Sequence, residues 1–276
     1  MTDREVVLRV DGLVKEFAPG GGLARRTAPR TRAVDDVSFE LRRGETLGLV
    51  GESGCGKTTT ARCVVRLLRP TAGRVDFRGN DLATMGRRRL RGVRQEIQMV
   101  FQDPYASLDP RLTVHEIIAE PLRIFGRYGG GAGPRRVREL LDLVGLEAGH
   151  ENRYPHEFSG GQRQRVGIAR ALALDPRLVV LDEPVSALDV SIQAQVINLL
   201  QDLQEELDLT YLFIAHDLDV VRHISDRIAV MRRGRIVETG EPEQIFDRPA
   251  DPYTRELLAA KPITDPTQRA GREDPA

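Results

Sequence analysis

Four short apolar runs, Thr46–Val50, Ile97–Phe101, Leu178–Leu181 and Tyr211–Ala215, are each followed at once by polar or glycine-rich residues. Near-continuous apolar stretches of this length suit strands buried on both faces of a parallel sheet. Helical patterns separate several of them. Between residues 190 and 207, Ile192, Val196, Leu199, Leu203 and Leu207 recur at spacings of three and four, the period of one helix face. The alternation predicts an α/β fold with a mainly parallel sheet, which binds ligands outside the carboxyl ends of its strands.

The first 45 residues read differently. Alternating stretches Val6–Val10 and Val37–Leu41 flank a loop, Pro19–Arg32, rich in Gly, Pro and Arg, and predict a small antiparallel layer. Residues 104–165 carry helical patterns, interrupted by Gly129–Gly133, and predict an inserted helical subdomain. Residues 1–250 thus form one domain, with 251–276 a short tail. From about Pro249 the chain is polar and punctuated by proline, and fraying is expected after Pro262.

Composition adds exclusions. The chain has 41 basic and 41 acidic residues, so no general attraction to nucleic acid or an anionic membrane is expected. The clusters Arg87, Arg88, Arg89, Arg91 and Arg232, Arg233, Arg235 are expected on solvated faces or turns. No apolar run approaches the roughly 18 residues of a membrane helix, and the N-terminus has no secretory signature. Membrane work is therefore expected to pass through a partner. The two cysteines, Cys55 and Cys63, would stand about 12 Å apart on one helix, beyond disulfide reach. Two thiols suit a reducing cytosol, and they are too few for the four thiolates of an iron–sulphur cluster.

Gly51, Glu52, Ser53, Gly54, Cys55, Gly56, Lys57 and Thr58 fit G-x-x-x-x-G-K-[ST], directly after a strand and before a helical pattern running from Thr59 to Leu68. Glycines let successive backbone N–H groups turn inward onto phosphates, and the helix start adds its positive end. Lys57, one of only three lysines, is expected to reach the β- and γ-phosphates of ATP, Thr58 to ligate Mg²⁺, and Thr59 to complete the phosphate-binding set. Asp182 and Glu183 follow a buried strand. Asp182 is expected to hold Mg²⁺, and Glu183 to orient and polarise the attacking water. Gln102 and His216 end two further strands, so four polar functions converge on one sheet edge.

A second phosphate-type feature lies far away in sequence. Ser159, Gly160, Gly161 and Gln162 open a helical pattern that runs to about Leu174. Ser159 and Gln162 form a capping box. The two glycines, each costing roughly 1 kcal/mol against alanine in a helix, leave the helix start bare for an anion. One nucleotide does not need two such sites in one chain. Two chains facing head to tail do.

With these motifs in order, the chain resembles the nucleotide-binding subunit of ABC transporters over residues 1 to about 260. The motifs are GESGCGKT (51–58), Gln102, FSGGQ (158–162), LVVLDE (178–183), SALD (186–189) and His216. The resemblance implies a P-loop ATPase with a RecA-like core, in which two subunits sandwich two ATP molecules, each phosphate loop facing the partner's signature. It further implies Glu183 as catalytic base, His216 on the γ-phosphate, Gln102 as a catalytic and metal-contacting residue, and Asp189 at the dimer interface. Phe17 matches the aromatic that stacks on adenine, with plain core packing as the competing reading.

Longer stretches, among them VFQDPYASLDPR and YPHEFSGGQRQRVGIARAL, look like the oligopeptide/dipeptide/nickel importer group, and like the second of its two ATPases. FDRPADPYTRELL resembles that group's C-terminal motif, with Asp251 where His is usual. Many members carry a cysteine-bearing tail, whereas this sequence has no cysteine after Cys63. The implied partners are a second related ATPase, two permease subunits and, indirectly, an extracytoplasmic solute-binding protein. Its implied location is peripheral, at the cytoplasmic face of the membrane. The alternatives are an accessory ATPase of a cytosolic phosphonate-degrading complex, and a DNA-repair or translation ATPase. FQDPYASLDP (101–110), which resembles the permease-facing loop of importers, argues against the first. Against the second, this sequence shows no long coiled coil, second cassette or basic excess.

Overall fold

Two twelve-residue strands, β1 (Val6–Phe17) and β2 (Thr31–Arg42), run antiparallel. The chain continues through β3 (Thr46–Val50), α1 (Lys57–Val64), β4 (Ala72–Phe77), β5 (Asn80–Asp81), α2 (Arg87–Val93) and β6 (Ile97–Val100). Then come α3 (Pro104–Ser107), α4 (Val114–Ile124), α5 (Ala132–Leu143) and α6 (Gly160–Leu172). The remainder is β7 (Leu178–Asp182), α7 (Val190–Leu207), β8 (Thr210–Ile214), α8 (Leu218–Ile224), β9 (Arg227–Arg232), β10 (Arg235–Gly240), α9 (Pro242–Asp247) and α10 (Pro252–Ala259). The structure, a computed structural model, describes residues 4–18 and 30–260. Most of the Gly/Pro/Arg loop and the tail beyond Ala260, including the expected fraying, lie outside them.

Among the described residues the strands form two sheets. One has the order β2-β1-β4-β5 and is antiparallel. The other has the order β10-β9-β3-β8-β7-β6, parallel from β9 to β6 with β10 antiparallel at its edge. The expected α/β core with an N-terminal antiparallel layer is therefore present. The apolar runs are continuous because the parallel sheet is covered on both faces. Leu47, Leu49, Leu178, Val180, Leu212 and Ile214 pack toward the antiparallel sheet and α1. Their neighbours Val50, Val179, Leu181, Tyr211 and Phe213 pack in the opposite cluster, with α4, α5, α6 and α7. One strand period of two thus feeds two cores.

The N-terminal strands are longer than the alternation predicts. Register shifts between Val10 and Lys15, with Gly12 at φ 55°, break the two-residue period and conceal the second half of β1. Helix α1 stops at Val64, short of Leu68. Arg66 there takes a left-handed turn (φ 58°), and the amides of Leu67 and Leu68 both donate to Arg62 O. Helices α3, α4 and α5 occupy the stretch expected to be helical. α4 starts on a capping box in which Thr113 accepts from Glu116 N–H and donates its own N–H to the Glu116 carboxylate.

Candidate active site

The order β3-β8-β7-β6 sets four carboxyl ends side by side. The loop after β3 is the phosphate-loop motif. Its tip, Glu52, Ser53 and Gly54, is exposed; Gly51, Cys55, Gly56 and Lys57 are buried. At Gly51 (φ 149°) a Cβ would lie 2.1 Å from Met231 O, and at Gly56 (φ 114°) 2.3 Å from Ala33 O. Any side chain there would collide with backbone, so the glycines let β9 and β2 close on the loop. Gly234 N–H donates to Cys55 O at 2.8 Å, and Glu52 N–H to the Tyr253 hydroxyl at 3.3 Å. The Lys57 ammonium, 4% exposed, donates to Gly51 O (2.7 Å) and Glu52 O (3.0 Å). Thr58 and Thr59, in the first turn of α1, are half-buried behind the loop.

Asp182, at the end of β7, is 1% exposed and accepts from Thr58 Oγ1 at 2.9 Å. Burial pushes its carboxyl above the ordinary range. The Thr58 bond, with Arg62 and Lys57 nearby, pulls the other way without cancelling the rise. A buried carboxylate whose ionised form lacks compensation, paired with a hydroxyl, fits a hard divalent cation. Mg²⁺ takes one or two such oxygens together with water and substrate phosphates. The pair therefore fits the Mg²⁺ expected there.

Glu183 stands at φ 49°, a left-handed conformation costly for a residue with a side chain. Its N–H donates to Ile214 O (2.9 Å), and its carbonyl accepts from Ser186 Oγ (3.1 Å), which holds the turn. Its Oε2 accepts from Gln102 Nε2 at 2.8 Å and lies 3.4 Å from His216 Nδ1. Ends of three neighbouring strands thus meet at one carboxylate. Gln102 sits on the Glu183 side of the cluster, its amide nitrogen bonded to that carboxylate rather than to the Thr58–Asp182 pair.

Ser159 caps α6, accepting from Gln162 N–H at 3.3 Å, while Gln162 Oε1 accepts from Ser159 N–H at 3.0 Å. Ser159 and Gly160 are exposed, but Gly161 is buried. A Cβ on Gly161 would lie 2.4 Å from Ile192 Cγ2 of α7, so packing also requires a glycine there. Asp189 precedes α7 and is exposed. Phe17 is 41% exposed, with Lys15 Nζ 5.1 Å from its ring centre, and so is no core residue.

Sequence reasoning missed several long-range contacts. Arg170 of α6 donates to Ser107 O (2.7 Å), and the Arg163 guanidinium lies 5.2 Å from the Tyr105 ring, so the segment after Gln102 is tied to the signature helix. Tyr253, in the stretch read as tail, is 2% exposed and reaches the phosphate loop. The Arg232, Arg233, Arg235 cluster lies at the solvated turn between β9 and β10, as expected, but Arg232 also stacks on the Tyr253 ring (4.4 Å) and Arg235 pairs with Asp35 (2.6 Å). Spacing alone could not show contacts between residues so far apart in sequence. Both cysteines are buried thiols, with Cys63 pushed up to about 11 by burial.

Residues 34–186 match the ABC transporter family, and residues 237–276 the oligopeptide/dipeptide transporter C-terminal region. The chain is 54% identical over 263 residues to the oligopeptide transport ATP-binding protein AppF of Bacillus subtilis, covering 95% of this chain and 80% of that protein. It is also 54% identical over 268 residues to the oligopeptide transport ATP-binding protein OppD of Mycobacterium tuberculosis, covering 97% of this chain but only 44% of that longer protein. Among solved structures, an ATP-binding cassette in a dimeric post-hydrolysis state, bound to ADP and Pi, is similar at a TM-score of 0.74 and 30% identity, over 85% of this chain and 98% of that one. Motifs, strand-end geometry and these likenesses agree: the chain belongs to the ABC transporter family, among its ATPases.

Proposed function

We propose that this chain hydrolyses ATP to drive an importer of peptides or a related small solute. The observation that carries the chemistry is the cluster at the strand ends, where Glu183 meets Gln102 and His216 beside the phosphate loop. The names of AppF and OppD, and the C-terminal match, support the peptide class. They favour an importer over a phosphonate-complex accessory.

In this reading the amides of the phosphate loop and of the α1 start bind the β- and γ-phosphates, with Lys57 as their side-chain cation. Mg²⁺ would be held by Thr58 and Asp182 and would neutralise charge on those phosphates. Glu183 accepts the proton of the attacking water as its oxygen bonds to the γ-phosphorus and the bond from that phosphorus to the β–γ bridging oxygen breaks, releasing phosphate and ADP, while Gln102 and His216 orient the Glu183 carboxylate. Phe17 offers an exposed ring for adenine. Ser159, Gly160 and Asp189, all exposed, complete the site from a second subunit, a reading in keeping with the dimeric state of the similar ATP-binding cassette.

The partner is a second, related ATPase, and the pair docks beneath two permease subunits at the cytoplasmic face of the membrane, fed by a solute-binding protein. A groove of about 1000 Å³ between α2 and the end of α4 suits an acidic and apolar permease segment, because Arg66, Arg87, Arg91 and Arg94 line it beside Ile124 and Phe125. Gln102 bonds Glu183 at one end of its segment, and Arg170 grips Ser107 at the other, so closure around the γ-phosphate has a physical route to the signature helix. Co-expression with candidate permeases and ATPases, followed by pull-down and ATPase assay, tests this assembly. A stable complex containing two different ATPases is expected. A transport-competent complex built from this chain alone would replace the pair with a homodimer, and failure to bind any permease would overturn the importer reading.

A further inference from the structure

The stretch that leads to α10 is held by backbone, cap and ring contacts. Glu238 of β10, 8% exposed, accepts from the N–H groups of Ala250 (2.8 Å) and Asp251 (3.0 Å). Asp251, the residue that departs from the family pattern, caps α10 by accepting from Tyr253 N–H at 2.7 Å. Arg232 lies over the Tyr253 ring and is 3.6 Å from Glu256 of the same helix. Backbone, cap and stack together fix one side chain, and its hydroxyl ends on the phosphate loop. A phenylalanine would fill the same space; only the hydroxyl can meet the Glu52 N–H.

That peptide is a special one. The Glu52 N–H donates to Tyr253, and the Glu52 carbonyl accepts from the Lys57 ammonium. The two groups belong to consecutive peptide planes, so turning the backbone at Glu52 moves the carbonyl that seats Lys57. We propose that Tyr253 is a positioning residue for ATP binding: α10 sets the backbone of the phosphate loop at Glu52, and through it the place of the Lys57 ammonium. The proposal rests on the reading that this loop binds the ATP phosphates. It gives the C-terminal region a direct part in nucleotide affinity, although 201 residues separate the two partners.

The test is Tyr253→Phe in the full chain, which keeps the ring and its Arg232 stack and removes one oxygen. ATP affinity is measured by titration with a fluorescent ATP analogue, and KM and kcat by phosphate release. Affinity should weaken and KM rise about fivefold, the scale of one neutral hydrogen bond, with kcat within about twofold because Glu183 is untouched. Glu238→Gln, which loosens the seat of α10, should move KM in the same direction by less. Unchanged KM and affinity in Tyr253→Phe would overturn the proposal, as would a fall in kcat and thermal midpoint with KM unmoved. Lys57→Ala separates this from the underlying reading. If wild type and Lys57→Ala bind the analogue equally, the loop is not the nucleotide site; if only Lys57→Ala loses binding, the loop reading stands and Tyr253 is passive.

Discussion

The two helix starts proposed as anion sites, at Lys57 and Gly160, are opposites. The one at Lys57 lies at the centre of the parallel sheet, behind a loop held by Gly234, Tyr253 and the carbonyls packed against Gly51 and Gly56. The one at Gly160 is satisfied by its own capping box and has Ser159 and Gly160 at the surface. The first has its cation, its hydroxyl and its carboxylates from the same chain. The second offers amides and a hydroxyl, but among the described residues no cation and carboxylate pair like that of the first is bonded to it. The contrast teaches that a fold can carry one anion site finished internally and another whose use depends on what docks against it.

The largest expected effect breaks the finished side. Lys57→Ala removes the buried ammonium beside the loop and should lower ATP binding and hydrolysis by roughly 100-fold or more, the scale of several charge-assisted contacts. Direct nucleotide titration checks this; near-normal hydrolysis would show that the loop does not need its cation.

The next pair of changes sharpens the unfinished side. Gly161→Ala pushes a methyl into Ile192 and should cost about 1–3 kcal/mol of stability, seen as a lowered thermal midpoint. Gly160→Ala meets only Leu188 Cδ2, at 3.2 Å, a flexible end that can yield. It should leave the midpoint near wild type yet weaken ATP-dependent association, because it covers an exposed helix start. Equal loss of stability in both variants would mean that the two glycines serve one packing purpose.

A smaller effect concerns the cation. Burial raises the Asp182 carboxyl above its ordinary range, so a proton competes for it at a higher pH than at an exposed aspartate. The Mg²⁺ concentration for half-maximal hydrolysis should therefore rise as pH falls from neutral toward the raised value. A requirement that does not change with pH would remove Asp182 from the metal site.

How much of this was legible beforehand follows from range. The parallel strands and α7 were readable because their apolar patterns are local and strong. Gln102, Asp182, Glu183 and His216 could be placed near one another because each ends or follows such a strand, and strand order then brings them together. The second half of β1 was hidden by a bulge at Gly12, which resets the alternation. The packing role of Gly161 was hidden because nothing near it in sequence reveals Ile192. Tyr253 was read as tail because its partner lies in the phosphate loop, and only the folded chain places them together.

The central claim is that the Glu183 cluster performs hydrolysis and that a second subunit closes the ATP site. Glu183→Gln keeps the shape and removes the base. The variant, alone and mixed with its candidate partner ATPase, is passed through size exclusion with mass detection in ATP and Mg²⁺ while phosphate release is followed. The account predicts almost no turnover and a long-lived ATP-dependent dimer in at least one of the two samples. Full turnover, or stoichiometric ATP binding with only monomer in both, would contradict it.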